Sequence, residues 1–541
     1  MRRSLFAILF LCCACIVAAK PDEKGKAEHV VLMVWDGMRP DFITPEKAPT
    51  LAALAHDGVF FRNHHAAFPA STNVNGAVLA TGVYPQHNGV ISNEEFRAEV
   101  NAHEPFDTSD FPALDDTDGR INQRFIAVPT IADLVQEAGF RTAIAGSKPI
   151  AQLFDRHRSR TSPAARESTV IYRGRFLPVD AAATITQAIG PFPKRKGYPN
   201  NGEDGWTTRA LTDVLWKNGV PKFSLLWLSE PDLSQHETAP GSPTSLAAIR
   251  SCDDNLAKVV AALKTKGALA TTDIFVVSDH GFSTINLAID AAARLRSAGF
   301  DAVRQFPDQP PPGQILVVSL GGSMAFYVAG HEPETIRRVV EYLQHSDFAG
   351  VIVTRQAHPG TFTLSQLHID IPTAPDVFVA ARWEDQPNEF GVGGQVASDL
   401  GRKVGEGTHT TMSPFDFHNT LIASGPDFRR GWSDELPTGN IDVAPTILWL
   451  LGLPAPQPLD GRVLKEALRN FAATPTVSAD VLTAEHQLDD STWRQSVRTT
   501  TVEKTTYFME GNGGIVKREE PTPNESHGDK APHTPGRSDR R

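Results

Sequence analysis

Residues 274–280, Ile-Phe-Val-Val-Ser-Asp-His, decide the fold prediction, because an apolar run stops abruptly at a carboxylate and an imidazole. A second run of the same kind, Phe223–Leu228, is followed closely by Asp232 and His236. Continuous apolar runs of this length are typical of parallel strands that are covered on both faces. Both runs are therefore predicted to be buried strands that end at titratable side chains.

A third apolar run, Val30–Trp35, also ends at an acid, Asp36. Buried strand ends do not tolerate unpaired charges, because removing a charge from water costs several kcal/mol. A pair of divalent metal ions would supply the missing partners, since carboxylates and imidazoles together suit zinc. Two-metal sites also catalyse hydrolytic displacement at phosphorus. The three strand ends together therefore predict a metallohydrolase.

Helical patterns alternate with the apolar runs along the first half of the chain. This alternation predicts an α/β fold with a doubly wound, mostly parallel sheet and ligands at the carboxyl ends of its strands. The predicted helices are Pro49–Asp57, Ser71–Ala80, Thr130–Ala138 and Leu246–Lys264, and two shorter strands are predicted at Phe60–His65 and Thr142–Ala145.

The domain prediction divides the chain around an insertion. The core spans residues 28–284 and closes with residues 401–470, where a helix over Ile441–Leu451 stops at Gly452. A smaller α/β insertion occupies residues 285–400, with a helix at Glu332–Leu343 and strands within 313–328, 350–354, 361–367 and 376–381. Residues 150–215 are predicted to form loops near the mouth of the site. Residues 471–516 form a peripheral segment, with a hairpin within 480–508.

Both ends of the chain are predicted to lie outside the folded part. Arg2 and Arg3 precede an apolar stretch and small residues up to Ala19, which is the layout of a secretory signal peptide at residues 1–19. The stretch is short for a membrane span, and an uncleaved anchor is the alternative. Residues 517–541 are rich in proline and charge, so disorder is expected there.

Composition narrows the class of protein. With 541 residues, 40% of them apolar, the chain can bury a substantial core. Its net charge of −11 argues against a protein that coats nucleic acid, which favours a basic surface. Cys252 is the one cysteine outside the signal, so no disulfide is expected within the mature chain. We expect an exported protein, periplasmic or secreted, with no stable membrane span once the signal is cleaved.

A candidate nucleophile lies in residues 68–76, Phe-Pro-Ala-Ser-Thr-Asn-Val-Asn-Gly, where two hydroxyls open a predicted helix. A helix N-terminus favours anions and a developing alkoxide. Asn75 lies one turn beyond Thr72, so both side chains can address one phosphoryl group. An ordinary Ser/Thr helix cap is the alternative interpretation of this segment.

These motifs occur in an order that resembles the type I phosphodiesterase/nucleotide pyrophosphatase family of the alkaline phosphatase superfamily. The resemblance covers about residues 28–465. In this chain the ordered motifs are Asp36-Gly37, Phe68-Pro69-x-x-Thr72-x-x-Asn75, Pro231-Asp232-x-x-x-His236, Asp279-His280-Gly281 and Gly407-Thr408-His409.

The resemblance implies two Zn²⁺ ions and a covalent mechanism. One ion would be held by Asp36, Thr72, Asp279 and His280, and the other by Asp232, His236 and His409. Thr72 would attack phosphorus and form a phospho-enzyme that water hydrolyses, while Asn75 would hold the oxyanion.

The chain departs from the family pattern at two positions. Asn73 stands where family members often carry an aromatic residue, which weakens the expectation of nucleotide-base stacking. Thr410 follows His409 where glycine is usual, so His418 stays an alternative ligand. The motif of a sulfatase nucleophile does not occur near position 72.

The expected function is hydrolysis of a small-molecule phosphodiester or pyrophosphate, including nucleotides. A phosphomonoesterase or a phosphonate hydrolase on the same scaffold remains an alternative. A metal-binding protein without turnover is a second alternative, against which the pair Thr72 and Asn75 argues.

Overall fold

The computed structural model describes residues 25–110, 125–156, 160–457, 459–471 and 474–517. The predicted signal peptide lies outside the described residues, as does the predicted disordered tail except for Lys517, which ends a strand. Within the described part of the chain, every helix is too short or too polar to span a bilayer.

A nine-stranded mixed sheet forms the centre of the fold. Its five middle strands run parallel, and strand Leu421–Ser424 joins them antiparallel at one side. This confirms the predicted α/β class with a mostly parallel sheet. In sheet order the strands are Trp432–Asp434, Val59–Phe61, Leu421–Ser424, Thr272–Val277, His29–Trp35, Phe223–Leu228, Thr142–Gly146, Thr169–Tyr172 and Arg175–Leu177.

Strand His29–Trp35 shows why the apolar runs are continuous. Leu32 and Val34 pack into the core on one face of the sheet, whereas Val31 and Met33 pack into the core on the other face. Full burial of each such side chain stabilises the fold by about 1.5–3 kcal/mol. A strand covered on both faces therefore has few positions for a polar residue until it ends.

Helices cover both faces of the central sheet. Cys252, predicted as a small buried side chain on a helix, lies in helix Pro243–Thr265 and packs under one face. The helices of the core are Pro49–Asp57, Thr72–Thr81, Pro85–Asn88, Ile131–Glu137, Pro163–Glu167, Ala181–Ile189, Asn201–Arg209, Asp232–Thr238, Pro243–Thr265, Pro414–Phe417 and Val443–Leu451.

The segment after His280 forms two further sheets. A four-stranded sheet contains Trp383–Pro387, Gly393–Asp399, Ser283–Ile289 and Gly407–Thr408, and it joins this segment to the core. A six-stranded sheet contains Ala302–Val303, Ile315–Ser319, Ser323–Val328, Val377–Ala381, Ala349–Thr354 and Phe362–Thr363, with helices Ala291–Ser297 and Pro333–Gln344 beside it.

Two local predictions are wrong. Residues 150–215 are not mainly loops, because strands Thr169–Tyr172 and Arg175–Leu177 extend the central sheet there. The predicted strand over 361–367 is only Phe362–Thr363, followed by a 3₁₀ turn. The Gln366 side chain accepts a hydrogen bond from the backbone N–H of Thr363 across this turn, and such local bonds compete with strand formation.

The predicted C-terminal hairpin is instead a three-stranded antiparallel sheet of Val477–Gln487, Ser491–Val502 and Thr505–Lys517. The Tyr84 hydroxyl donates to the carbonyl of Thr506, and the Tyr507 hydroxyl donates to Asp442. The same sheet bonds to the insertion, where Gln495 exchanges two hydrogen bonds with the backbone of Ile352. The sheet therefore ties the core to the insertion.

Candidate metal centre

The three predicted strand ends with acidic residues meet at the carboxyl ends of the parallel strands in the central sheet. Strand His29–Trp35 lies between strands Thr272–Val277 and Phe223–Leu228 and runs parallel to both. Because parallel neighbours end on the same side, Asp36, Asp232 and Asp279 converge there. All three side chains are buried, at no more than 2% exposure.

Asp36, Thr72, Asp279 and His280 form the first half of the centre. The Nε2 atom of His280 lies 3.4 Å from Asp279 Oδ2, 3.7 Å from Asp36 Oδ1 and 3.2 Å from Thr72 Oγ1. Trp227 Nε1 donates a 2.8 Å hydrogen bond to Asp36 Oδ2, which fixes that carboxylate.

Gly37 helps to orient Asp279. Its backbone N–H donates to Asp279 Oδ1 at 3.0 Å. Gly37 has φ +71°, a left-handed conformation that glycine adopts without strain. The turn after the strand therefore holds one oxygen of Asp279 and leaves Oδ2 facing His280.

Asp232, His236 and His409 form the second half of the centre. The Oδ1 atom of Asp232 lies 3.2 Å from Nε2 of His236 and 3.7 Å from Nε2 of His409. The rings of His409 and His280 stack at 3.7 Å between centroids, so the two halves adjoin. His418, the alternative ligand, instead bonds to the carbonyl of Arg62 and stacks on His65.

The three histidines share one orientation. Nδ1 of each ring lies within hydrogen-bonding distance of a backbone carbonyl: Gly281 for His280, Gly407 for His236 and Ala70 for His409. A bond of this kind fixes the proton on Nδ1 and leaves the Nε2 lone pair for a metal ion. Burial, with His280 and His236 nearby, lowers the pKa of His409 well below its ordinary value, which keeps that ring neutral.

Two carboxylate oxygens in the centre, Asp232 Oδ1 and Asp279 Oδ2, are buried and make no hydrogen bond, and a third, Asp36 Oδ1, has the ammonium of Lys148 at 2.9 Å as an ion-pair partner. Each of these oxygens lies within 3.7 Å of a histidine Nε2. Buried polar atoms are normally satisfied, so Asp232 Oδ1 and Asp279 Oδ2 need a partner. Oxygens and imidazole nitrogens that converge in this way fit divalent metal ions.

The surroundings shift the pKa values of two carboxylates in the centre in opposite directions. Burial and the neighbouring charge of Asp279 raise the pKa of Asp36 well above its ordinary value. Burial alone would also raise the pKa of Asp232, but Lys148 and His236 lower it well below that value. The crowding of negative charge at Asp36 again indicates that the centre is built around cations.

Thr72 is the first residue of helix Thr72–Thr81, whose residues are all buried. Ser71 precedes the helix in an extended conformation, and its hydroxyl makes no capping bond. Of the two hydroxyls, that of Thr72 faces His280. The alternative interpretation of the pair as an ordinary helix cap does not fit the structure, because the Ser71 hydroxyl makes no capping bond.

Asn75 does not have the position that the sequence predicts. Its Nδ2 atom donates to the carbonyls of Ala67, Pro69 and Ser71, and its Oδ1 atom accepts from Ala67 and Asn440. The residue is fully buried, so its amide has no proton available for a phosphoryl group. Asn75 instead fixes the loop before Thr72, and the predicted contact with an oxyanion is wrong.

Asn93 and Lys148, which the sequence analysis missed, line a cavity of about 270 Å³ together with Thr72. Asn93 Oδ1 accepts a bond from the backbone N–H of Asn73 at the start of the Thr72 helix. Asn93 lies in a loop without periodicity, so the sequence offers no signal for it. Lys148 follows strand Thr142–Gly146, and the rule that ligands bind at strand ends would have found it.

Polar and charged side chains dominate the cavity, and none of the described residues that line it is aromatic. The Asn73 amide, in place of the family's aromatic residue, donates to Asp107 and Thr108. Stacking of a nucleotide base is therefore not available at this position. The described lining residues are Thr72, Asn73, Asn93, Glu94, Asp107, Ser109, Ser147, Lys148, Pro149, Ile150, Arg173, Arg195, Glu203, Ser229 and Leu233.

Comparison with known proteins assigns the chain to a family. A family model described as type I phosphodiesterase / nucleotide pyrophosphatase matches residues 30–388. The chain belongs to this family. It is therefore a hydrolase of ester bonds, of a metal-dependent family that cleaves phosphodiester or pyrophosphate bonds. His409 lies beyond the matched range.

Two curated relatives are similar in sequence to this chain over most of its length. The protein is 21% identical over 443 residues to the bis(5'-adenosyl)-triphosphatase enpp4 of Mus musculus, covering 81% of this chain and 80% of the relative. The Xenopus laevis enpp4 is 22% identical over 462 residues, which is 84% of this chain and 85% of the relative.

Solved structures share the fold. Human ectonucleotide pyrophosphatase / phosphodiesterase 5 matches with a TM-score of 0.57 at 17% identity, covering 82% of this chain and 100% of that chain. An inactive variant of the murine protein in complex with AMP matches with a TM-score of 0.55 at 17% identity and the same coverage. These matches support the alkaline-phosphatase-like fold.

We expect Gly281→Ala to destabilise the protein and disturb the centre. A Cβ at Gly281 would overlap the carbonyl oxygen of Phe415, which is backbone and cannot rotate away. Overpacking of this kind costs about 1–3 kcal/mol. Urea unfolding measures the loss. Gly205→Ala is the control, because its Cβ meets no atom within 4 Å and its helix should gain about 0.4–1 kcal/mol. Equal stability of the two variants would contradict the expectation.

Proposed function

We propose that the protein is an exported two-zinc phosphodiesterase or pyrophosphatase that works through a phospho-Thr72 intermediate. One observation carries the proposal: oxygens of the buried carboxylates Asp36, Asp232 and Asp279 face the Nε2 atoms of three histidines in a cluster that includes the Thr72 hydroxyl, and two of these oxygens make no hydrogen bond. A structural role in the sheet does not require oxygens that are left without partners.

The residues present fit two zinc ions. Asp36, Thr72, Asp279 and His280 would hold the first ion, and Asp232, His236 and His409 would hold the second. Mixed oxygen and imidazole donors favour zinc over magnesium, which prefers oxygen ligands alone. When bound, the ions supply Lewis acidity, which lowers the pKa of a nearby hydroxyl and offsets phosphoryl charge.

Thr72 carries the covalent chemistry in this proposal. Its hydroxyl gives up its proton to solvent, and Oγ1 forms a bond to phosphorus as the bond to the leaving-group oxygen breaks. The leaving group departs with the bonding electron pair. Water then attacks the phosphorus of phospho-Thr72, which releases the phosphoryl product and restores the hydroxyl.

Asn93 replaces Asn75 as the amide that we propose for the phosphoryl oxygen. Its Oδ1 atom is engaged by the backbone N–H of Asn73, which leaves its Nδ2 atom for the cavity that Thr72 lines. A fixed amide donor near the developing charge stabilises the transition state.

We propose a small phosphodiester or pyrophosphate, including nucleotides, as the substrate. The murine enpp4 relative is named a bis(5'-adenosyl)-triphosphatase, and a structural neighbour was solved with AMP. The described residues that line the cavity supply no aromatic ring for a base, so its recognition would rest on phosphoryl and polar contacts.

The proposal of export rests on the sequence of residues 1–19. N-terminal sequencing of the mature protein tests it, because a mature chain that begins at Met1 would contradict cleavage.

We expect purified protein to contain zinc and to lose phosphodiesterase activity on chelation. The donor set of carboxylates, imidazoles and a hydroxyl requires a metal to bring its charges together. Elemental analysis measures the zinc content. Turnover of bis(4-nitrophenyl) phosphate is measured before and after chelation, and zinc is added back as the control. Activity that survives complete removal of metal would rule the proposal out.

A further inference from the structure

Lys148 holds a position in the centre that neither the predicted ligands nor the proposed nucleophile explains. It follows strand Thr142–Gly146, the neighbour of strand Phe223–Leu228 in the central sheet. Its side chain is only 17% exposed, and it lines the same cavity as Thr72.

The ammonium group bridges the two halves of the centre. Nζ lies 2.6 Å from Asp232 Oδ2 and 2.9 Å from Asp36 Oδ1. An ammonium has three N–H donors, so two carboxylates leave one donor for the cavity.

The surrounding fold holds Lys148 in this place. Ser147 donates a hydrogen bond to the buried carboxylate of Asp204, which also accepts bonds from Ser229. Asp204 thus joins the strand end that carries Lys148 to the strand end that leads to Asp232.

The same segment is fixed to the helix of Thr72. A Cβ at Gly76 would overlap the side chain of Ile150, so the absence of a side chain there allows close packing. Ile150 belongs to the 3₁₀ helix Pro149–Phe154 that begins directly after Lys148. The fold therefore sets Lys148 and Thr72 relative to each other.

The positive charge of Lys148 is not needed to balance the charges of the metal centre with bound substrate before the reaction begins. Two divalent ions outweigh the three carboxylates Asp36, Asp232 and Asp279 by one charge, and a phosphodiester carries one negative charge. Within the centre formed by these carboxylates, the bound ground state is then balanced without a lysine. Attack by Thr72 requires loss of its proton, which adds one further negative charge to the cavity. Charge that develops only in the transition state is the charge whose neutralisation accelerates a reaction.

We propose that Lys148 is a catalytic residue whose ammonium binds a phosphoryl oxygen as negative charge develops during attack by Thr72. The inference rests on the proposed function. Covalent change is confined to the Thr72–phosphorus bond that forms and the leaving-group bond that breaks, while Lys148 keeps its proton. An ion pair that only holds Asp36 and Asp232 in place is the alternative role.

Lys148→Met tests the proposal in the zinc-loaded protein, because methionine keeps the approximate length and removes the charge. We expect kcat for bis(4-nitrophenyl) phosphate to fall about 10²–10³-fold, as for loss of one fixed group that stabilises transition-state charge. We expect KM to change by less than about threefold, because the ground state is balanced without the lysine. Lys148→Arg should recover part of kcat.

Two readouts do not depend on turnover. Elemental analysis should find the wild-type metal content in Lys148→Met. Calorimetric titration with orthovanadate, which mimics five-coordinate phosphorus, should show weaker binding by about the factor lost in kcat. Lys258→Met, the same change on an exposed helix position that bonds only to Asn255, is the control for both measurements.

Three results would overturn the proposal: an unchanged kcat, an unchanged vanadate affinity, or a loss of metal that accounts for the lost rate. The last result would assign Lys148 the purely positioning role. Failure of the wild-type protein to bind metal or to cleave the diester would instead reject the proposed function, so the two failures are distinguishable.

Discussion

Thr72→Ala is expected to abolish turnover while leaving the metal content intact. Thr72 is the one hydroxyl at the helix start that approaches the centre, with Oγ1 3.2 Å from His280 Nε2. Loss of a nucleophile removes the covalent step, and rates then fall by at least about 10³-fold. Asp36, Asp279 and His280 would still hold a metal ion, because a hydroxyl is the weakest donor of that set.

Ser71→Ala is the matched control for this substitution. Ser71 is the immediate neighbour and equally buried, and its hydroxyl makes no hydrogen bond in the structure. Steady-state kinetics and elemental analysis of both variants make the comparison. Trapping of the phosphoryl group by acid quench should place the label on Thr72. A label on Ser71, or near-normal turnover of Thr72→Ala, would disprove the assignment.

His236→Ala and Asp232→Ala are each expected to remove one metal ion. Both belong to the second half of the centre, where Asp232 Oδ1 faces the Nε2 atoms of His236 and His409. With one ligand of three removed, affinity falls steeply, and we expect at least about a 10²-fold lower kcat/KM. The sheet should stay folded, because both residues lie beyond the end of strand Phe223–Leu228.

His418→Ala is the control for the loss of metal, since the sequence leaves His418 as an alternative to His409. His418 bonds to the carbonyl of Arg62 and lies away from the centre, so its removal should preserve both ions. Elemental analysis and circular dichroism provide the measurements. Full metal occupancy in His236→Ala, or loss of an ion in His418→Ala, would show that the ligands are assigned wrongly.

The strand ends could be predicted because burial restricts them so strongly. A strand covered on both faces is mostly apolar until it ends, so the acids at its end stand out in the sequence. Asp36, Asp232 and Asp279 follow from this rule, and they do converge in the structure. Their assignment as metal ligands stays a prediction.

Asn75 shows what spacing alone does not determine. The interval from Thr72 predicts a shared helix face, but the sequence does not reveal which groups cover that face. The loop 67–71 folds back over the helix and takes the amide of Asn75 for its own carbonyls. Buried backbone groups need partners, and this requirement prevailed over a contact with substrate.

The last two strands at one side of the central sheet were not predicted, for a different reason. Strands Thr169–Tyr172 and Arg175–Leu177 are short, and a tight turn with left-handed Arg173 and Gly174 joins them. Only Arg175–Leu177 is a partly exposed edge strand, whereas Thr169–Tyr172 is buried but four residues long, so neither strand shows a long apolar run in the sequence. Lys148 follows a strand that was predicted, but a lone lysine at a strand end lacks the metal-ligand chemistry that distinguishes the acids and histidines there.

The order of the ligands along the chain bears on how the enzyme matures. Asp36 directly follows the first strand of the described fold, His29–Trp35, whereas His409 lies beyond the insertion and after strand Gly393–Asp399. A nascent chain therefore has no complete centre until most of its length has emerged. An ion captured earlier would be held by fewer donors and would exchange readily. We expect the compartment in which the last segment docks to decide which metal the finished enzyme carries.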